Sequence, residues 1–323
     1  QAMSVFVAEE LSEVLNTKVV IGRINMGLLN RIIIDDVLLD DQSGQEMLKV
    51  TRLSAKFDIM PFFKGKISIS SVQLFGFNIN LRKETPDSPP NFKFVLDAFA
   101  SKDTVKKENS LDLRINSILI RRGRMSYHVL SEEETPGKFN AKHIQLQNII
   151  ANISLKALSK DSLNLGIKRL SLDEKASGFS LKKMSLKLVA NNKQTNIDNF
   201  TIELPETSLK LDTIHLEYDS LKAFDRFTEQ VHFSFRTLPS QVTLKDISPF
   251  VPILSHFKEP VTLDMEVKGT VDQLTCSHLE ITADDRQFRL RGDVSLQDLS
   301  RPQDAYVYGT LSELSANTRG VGF

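Results

Sequence analysis

The side chains that could do chemistry in this chain of 323 residues are dispersed. Six histidines occur without the short spacing that brings metal ligands together, and a single cysteine excludes both an internal disulfide and a thiolate-rich zinc site. Surface or structural roles are therefore expected for His128, His143, His215, His232, His256 and His278. The sequence predicts no metal site and no cofactor.

Two further patterns have ordinary explanations. Ser180 and Lys183 match a Ser-x-x-Lys spacing, but residues three apart on a strand point to opposite faces. Three acidic pairs lie beside predicted turns, where Asp satisfies backbone donors: Asp35-Asp36, Asp40-Asp41 and Asp284-Asp285. Phosphate-loop, dinucleotide, nucleophile-elbow and His-Glu-x-x-His motifs are absent. The sequence therefore predicts no catalytic residue, and we expect a protein that is not an enzyme.

Composition indicates a folded protein without a nucleic-acid partner. Hydrophobic residues make up 41% and charged residues 25% of the chain. Lys+Arg and Asp+Glu both number 41, so the basic excess of a nucleic-acid-binding protein is missing. The sequence contains no run of about eighteen apolar residues, so it predicts no transmembrane helix. The ends of the chain suggest a segment of a longer protein, and an anchor upstream would not be visible.

The elements that would position these side chains are mostly strands. A helix is predicted over residues 3–15, with Val7, Leu11 and Leu15 on one face. After it, apolar residues alternate with polar ones at period 2, as in Phe77/Ile79/Leu81 and Phe233/Phe235. Strands that are apolar on one face and polar on the other are typical of an antiparallel or solenoid-like sheet with one solvent-exposed face. We therefore expect a mainly β fold.

Short helices and linkers divide the chain. Residues 91–99 and 248–257 have short helical patterns. A charged, proline-containing stretch over residues 83–110 is typical of a linker. The predicted organisation is an N-terminal amphipathic helix, a first β unit, a linker with a short helix and a long further strand series: residues 1–16, 17–82, 83–110 and 111–323.

Motifs within residues 17–130 resemble the AsmA/TamB superfamily of bacterial envelope proteins. The turn Ile59-Met-Pro-Phe-Phe-Lys-Gly65 is similar to a family turn of the type leucine-proline-leucine-leucine-x-glycine between two strands. A strand, glycine, strand passage over residues 111–127 is also similar. The entry Asn30-Arg-Ile-Ile-Ile-Asp-Asp-Val-Leu-Leu-Asp40 is closest to TamB-like proteins of the Bacteroides type.

The resemblance implies the shape, compartment and partners. It implies an elongated curled β-sheet, or β-taco-like groove, with an apolar interior, in the periplasm. It also implies an anchor to the bacterial inner membrane through a segment before Gln1. The partners implied are phospholipid acyl chains and an outer-membrane β-barrel protein, in a translocation and assembly module that serves outer-membrane biogenesis.

The resulting hypothesis is a non-enzymatic bridge that carries phospholipid between the inner and outer membranes. Its predicted lining consists of Phe57, Ile59, Ile67, Ile69, Phe77, Ile79, Leu81, Ile153, Leu155, Leu186, Leu188, Phe233 and Phe235. From periodicity alone, ordinary core packing is the favoured explanation of Phe57, Phe62 and Phe77, because large exposed apolar patches are rare on soluble proteins. A first alternative is an assembly factor for outer-membrane β-barrel proteins, which would receive client strands at sheet edges. A second is a β-helix protein that acts on polysaccharide, which would need converging carboxylates.

Overall fold

The computed structural model shows that strands dominate the chain. Helices are few and short, so the predicted mainly β fold with an N-terminal helix is confirmed. The chain divides into two compact units, the first of Gln1–Ser154 with Ser171–Phe179 and the second of Leu155–Leu170 with Ser180–Phe323. The structure describes residues 2–28, 30–58, 67–100, 111–112, 116–158, 162–283, 288–301 and 304–317.

The first unit starts with a helix and continues mainly as strands. Val, Ile and Leu alternate with polar residues along these strands, which is the pattern of a half-buried strand. Two strands, β7 (His143–Leu158) and β8 (Ser162–Glu174), contribute residues to both units. The preceding elements are α1 (Ala2–Leu15), β1 (Val19–Gly27), β2 (Arg31–Asp40), β3 (Glu46–Asp58), β4 (Ile67–Lys83), α2 (Lys93–Ala100), β5 (Leu111–Asp112) and β6 (Ser117–Val129).

Strand pairing in the first unit is mixed. β1 to β4 pair in sequence order as antiparallel neighbours, and β6 pairs with β7 in the same sense. β4 instead pairs with β6 in parallel, from Ser71 beside Ser117 to Lys83 beside Val129. Parallel neighbours need a crossover of a dozen or more residues. The predicted linker over residues 83–110 supplies most of that crossover, and α2 lies within it.

Helix α1 packs on the sheet through small and aliphatic side chains. Ser4, Ala8 and Leu15 are buried, and the hydroxyl of Ser12 donates to the carbonyl of Ala8 at 2.7 Å. Leu11, which the sequence placed on the buried face, is instead 38% exposed. The small residues explain the difference, because they let the helix backbone approach β1 closely on their side.

A row of residues in the left-handed conformation crosses the sheet of the first unit. Asp36, Gly76, Arg122 and Asn148 lie on β2, β4, β6 and β7 and have φ between 55° and 64°. The strand registers bring these positions near one another, and Asp36 and Gly76 both lie opposite Thr51. We refer to these four residues as the left-handed row. The registers of β2 with β3 and of β3 with β4 continue unchanged past the row, whereas the register of β6 with β7 shifts there.

The apolar alternation changes phase at the left-handed row. Leu74 and Phe77 belong to one hydrophobic cluster although they are three residues apart, and so do Leu146 and Ile149. Residues three apart on a regular strand would point to opposite faces. Gly123 beside the row is required by packing, because a Cβ there would lie 2.4 Å from the ring of Phe77. The row therefore keeps the apolar side chains on its two sides, such as Leu74 and Phe77, on one face of the sheet.

The second unit is built from antiparallel pairs, which run from β9–β10 to β17–β18. Strand β10 pairs with both β11 and β12, and β15 pairs with both β13 and β14. Its elements are β9 (Ser180–Asn191), β10 (Gln194–Glu203), β11 (Ser208–Leu211), β12 (Ile214–Glu217), α3 (Phe227–Gln230), β13 (His232–Arg236), β14 (Ser240–Val242), β15 (Val261–Thr270), β16 (Gln273–Ala283), β17 (Phe288–Gln297) and β18 (Tyr306–Ala316).

Short helical turns replace the helix predicted over residues 248–257. The structure has one 3₁₀ helix just before this range, Leu244–Ile247, and one within it, Pro252–His256. Pro252 begins the second of them, because proline lacks the N–H that a helix interior needs and fits the first helical position. A small core of Tyr218, Ala223 and Val231 lies beside α3.

None of the helices in the described ranges is long and apolar enough to cross a membrane.

Candidate functional site

The predicted lining residues of the first unit lie along the apolar face of its sheet. Phe77, Ile79 and Leu81 alternate on β4, and Ile153 on β7 lies opposite Ile118. Ile79, Leu81 and Ile153 are partly exposed, whereas Phe77 is buried. Four other predicted lining side chains fall outside the described part of the structure: Phe57, Ile59, Ile67 and Ile69.

The centre of this face is closed by its own side chains. Val50, Phe77 and Ile149 form a buried cluster, and Leu172 of β8 packs against it. An acyl chain at this point would have to displace packed side chains, and each of them contributes about 1.5–3 kcal/mol by burial. The structure therefore places Phe77 in a core. Among the predicted lining residues of the first unit whose side chains are described, Ile79, Leu81 and Ile153 remain partly accessible.

The predicted lining residues of the second unit are all partly exposed. The rings of Phe233 and Phe235 stack with centroids 6.2 Å apart. Their apolar surface is thus held in place and remains partly accessible. The five residues are Leu155, Leu186, Leu188, Phe233 and Phe235.

Cross-strand pairs connect this surface into an apolar ladder. Directly opposed side chains on neighbouring strands contact one another, so each pair extends one face by a strand. The middle of the ladder is buried, with Val267 at 3% and Cys276 at 6% exposure. On β9, β10 and β12 the opposed residues of the apolar ladder are Leu188, Ile197 and Ile214, and on β13, β15, β16 and β17 they are Phe235, Val267, Cys276 and Val294. Leu216 lies opposite Phe233 and connects the two groups.

The thiol of Cys276 is a packing group in this ladder. Burial raises the pKa of the Cys276 thiol, and the carboxylate of Asp293 raises it further. The thiolate is the reactive form of cysteine, so a raised pKa disfavours nucleophilic chemistry.

On β16, β17 and β18, the face opposite the apolar ladder carries ion pairs. Arg291 contacts Glu280 at 3.0 Å and Glu313 at 3.3 Å, and Arg289 also lies within 4 Å of both carboxylates. The hydrogen bond from Arg291 lowers the pKa of Glu280. One face of these strands is therefore charged and the other apolar.

Asp41 stabilises a turn. Its carboxylate accepts hydrogen bonds from the backbone N–H groups of Ser43 and Gln45, at 3.0 and 3.1 Å, and contacts Arg82 at 2.7 Å. Burial alone would raise the pKa of Asp41, but the hydrogen bonds from Ser43, Asn91 and Gln45 outweigh burial and lower it. The turn role predicted for this acidic pair is confirmed at Asp41.

A second buried carboxylate, Glu174, has the same role. It accepts backbone N–H groups of Gln145, Ala176 and Ser177 at 2.9, 3.2 and 2.7 Å. Burial would raise the pKa of Glu174, but these bonds and the Ser177 hydroxyl together lower it. Because its hydrogen bonds fix the backbone, Glu174 is a structural group.

The turn role predicted for the pair Asp35-Asp36 is wrong. Both residues lie within β2, where Asp36 belongs to the left-handed row. The Asp35 carboxylate accepts a hydrogen bond from Nε of Arg52 at 2.6 Å, and this bond lowers its pKa. The strand register places Arg52 directly opposite, which the local sequence could not reveal.

A pair of histidines that the sequence treated as unrelated meets in the first unit. His128 and His143 are directly opposed on β6 and β7, and their Nδ1 atoms lie 3.0 Å apart. The side chain of Glu134 is close to both, with ligand atoms of the three residues all within 4.8 Å of one another. Fifteen residues separate the two histidines in sequence, so only the strand register brings them together.

A scan against protein-family models finds no match to this chain, and no curated protein matches it. The resemblance to the AsmA/TamB superfamily therefore rests on the sequence motifs and stays a prediction.

Proposed function

We propose that this chain is a non-enzymatic periplasmic segment that carries phospholipid between the inner and outer membranes along an apolar β-groove. The observation that supports this is the one-sided face of the second unit. Its predicted lining residues form ordered, partly exposed apolar surface, while most of the residues that alternate with them, such as Lys187, Ser234 and Arg236, are polar.

Hydrophobic burial would supply the affinity for acyl chains. Removing apolar surface from water contributes about 25 cal/mol per Å². A partly exposed aliphatic row offers that gain without the cost of opening a packed core. Leu186, Leu188 and Phe235 therefore fit acyl contact better than the closed cluster around Phe77.

The proposal places the chain in the AsmA/TamB superfamily, attached to the inner membrane by a segment outside this sequence. Passive movement along the groove needs no nucleotide, which agrees with the missing phosphate-loop motif. The proposal assigns no catalytic role to the buried carboxylates of Asp41 and Glu174, because both hold turns.

Native mass spectrometry with lipid extraction on the purified chain tests the proposal. Wild-type protein should carry phospholipid, and Leu188→Asp should reduce the bound lipid about tenfold, because a carboxylate is costly to bury beside hydrocarbon. Val189→Asp is the matched control, since Val189 is the next residue on the same strand and is 49% exposed. Leu155→Asp is a second test variant on β7.

Each outcome separates the candidate functions. Lipid bound by wild type and Val189→Asp, but lost from folded Leu188→Asp, supports the groove. Lipid-free wild-type protein, or equal lipid in all variants, contradicts it. Crosslinks from strand edges to outer-membrane β-barrel clients, with no bound lipid, would instead favour the assembly-factor alternative.

A further inference from the structure

We propose that the hairpin of β6 and β7 in the first unit holds a zinc ion, with His128, His143 and Glu134 as its protein ligands. The hairpin register sets the two imidazoles opposite each other, and the connecting loop brings the Glu134 carboxylate to them. The site is independent of the apolar face proposed for lipid.

The tautomer of a neutral His143 ring is set by its hydrogen bonds. Nε2 of His143 lies 2.9 Å from the backbone carbonyl oxygen of Glu132, which can only accept a hydrogen bond. Nε2 therefore carries the proton, and Nδ1 of the neutral ring presents a lone pair. That lone pair points at Nδ1 of His128, 3.0 Å away. An imidazole held by a backbone carbonyl is the usual arrangement for a histidine metal ligand.

The spacing of the two nitrogens suits a tetrahedral ion. Zn–N bonds of about 2.05 Å at tetrahedral angles place two nitrogens about 3.3 Å apart. The observed separation of 3.0 Å is therefore close to the metal-bound value. Zinc would take the place of the single proton between the rings, and that proton, the only one on a neutral His128, would move from Nδ1 to Nε2 of the same ring.

Position and burial favour binding from solution. His143 is buried at 6% exposure, His128 is partly exposed and Glu134 is exposed on the loop. The buried histidine anchors the site, while the exposed carboxylate leaves a path for the ion. Two imidazoles and one carboxylate match zinc rather than magnesium or calcium, which prefer oxygen ligands. A water molecule would complete the four ligands.

The competing explanation is a hydrogen-bonded histidine pair that only closes the hairpin. Isothermal titration of the metal-free chain with zinc sulfate distinguishes the two. We expect one zinc per chain and a rise in the thermal unfolding midpoint with zinc. His128→Gln should weaken binding at least tenfold, and Glu134→Gln should weaken it several-fold.

Glu133→Gln is the matched control, because Glu133 is an exposed neighbour on the same loop. It should bind zinc like the wild type. The proposal is overturned if the wild type binds no zinc stoichiometrically, or if folded His128→Gln binds zinc as tightly as the wild type. Circular dichroism of each metal-free variant establishes whether it folds. Because His128 is partly exposed and His143 is buried, a substitution at His128 disturbs folding less than one at His143.

Discussion

In the first unit the apolar face converges on Val50, Phe77 and Ile149, each less than 9% exposed. In the second unit the face is buried in its middle, at Val267 and Cys276, whereas Leu188 and Phe233 remain partly exposed. Both faces arise from the same period-2 pattern of apolar residues. The difference lies in how side chains from several strands meet, which follows from strand register. A one-sided ribbon is therefore compatible with a closed core and with an accessible surface.

The kind of buried polar group also differs between the two units. In the first unit they include the carboxylates Asp35, Asp41 and Glu174. Among described residues of the second unit, the buried polar groups are hydroxyls, such as Thr237 and Thr243. Buried charges need several partners, whereas hydroxyls need one or two, so the first unit depends more on a complete hydrogen-bond set.

The largest expected difference between the units comes from removing matched phenylalanines. Phe77→Ala should lower the free energy of unfolding by about 3–5 kcal/mol, because it leaves a cavity in a buried cluster. Phe233→Ala should cost about 2 kcal/mol, since its ring is partly exposed and loses mainly its stacking on Phe235. Urea unfolding followed by circular dichroism measures both. Equal losses would show that the two faces are equally closed.

A smaller effect concerns the buried carboxylates of the first unit. Glu174→Gln should cost about 2 kcal/mol at neutral pH, because the amide replaces an ionised acceptor of several N–H groups. Glu132→Gln, on an exposed ion pair with Lys142, is the control and should cost less than about 1 kcal/mol. Similar costs for the two variants would contradict the structural role of Glu174.

The same carboxylates predict acid sensitivity of the first unit. Because their pKa values are lowered in the folded protein, their stabilisation is complete above the ordinary values of 3.8 for Asp41 and 4.5 for Glu174. It is lost as the pH falls further through the folded pKa values. The pKa of Glu266 on β15 is also lowered, but its ion pair with Lys268 is exposed and contributes less. Hydrogen exchange as a function of pH should therefore show amides around Glu174 opening before those of β15. If both groups of amides opened at the same pH, the greater acid sensitivity of the first unit would be contradicted.

Much of the fold could be predicted because strand and helix periods are local. Alternation at Phe77/Ile79/Leu81 and Phe233/Phe235 correctly predicted strands. The phase change at the left-handed row was missed, although Leu74 and Phe77 with Gly76 between them carry the signal in sequence. Three-residue spacing of apolar side chains around a Gly, Asn or Asp would indicate such a row elsewhere.

Pairing between distant strands could not be predicted. The parallel contact of β4 with β6 depends on a crossover whose path is not encoded in either strand. The meeting of His128 with His143, and of Asp35 with Arg52, depends on register in the same way. Strand register therefore brings together the side chains that could bind a ligand or form ion pairs, while composition and periodicity predict only the apolar face.

The smallest predicted effect compares two exposed asparagines in the left-handed conformation, one in each unit. Asn148 donates a hydrogen bond to Asp173 at 2.8 Å, and within the described chain no side-chain hydrogen bond is found for Asn199. Glycine adopts this conformation freely but loses more entropy on folding, so Asn199→Gly should change the unfolding free energy by less than about 0.5 kcal/mol. Asn148→Gly should cost about 1 kcal/mol more, because it also loses a hydrogen bond. Urea unfolding of both variants measures the difference, and equal values would mean that Asn148 contributes only its backbone conformation to the row.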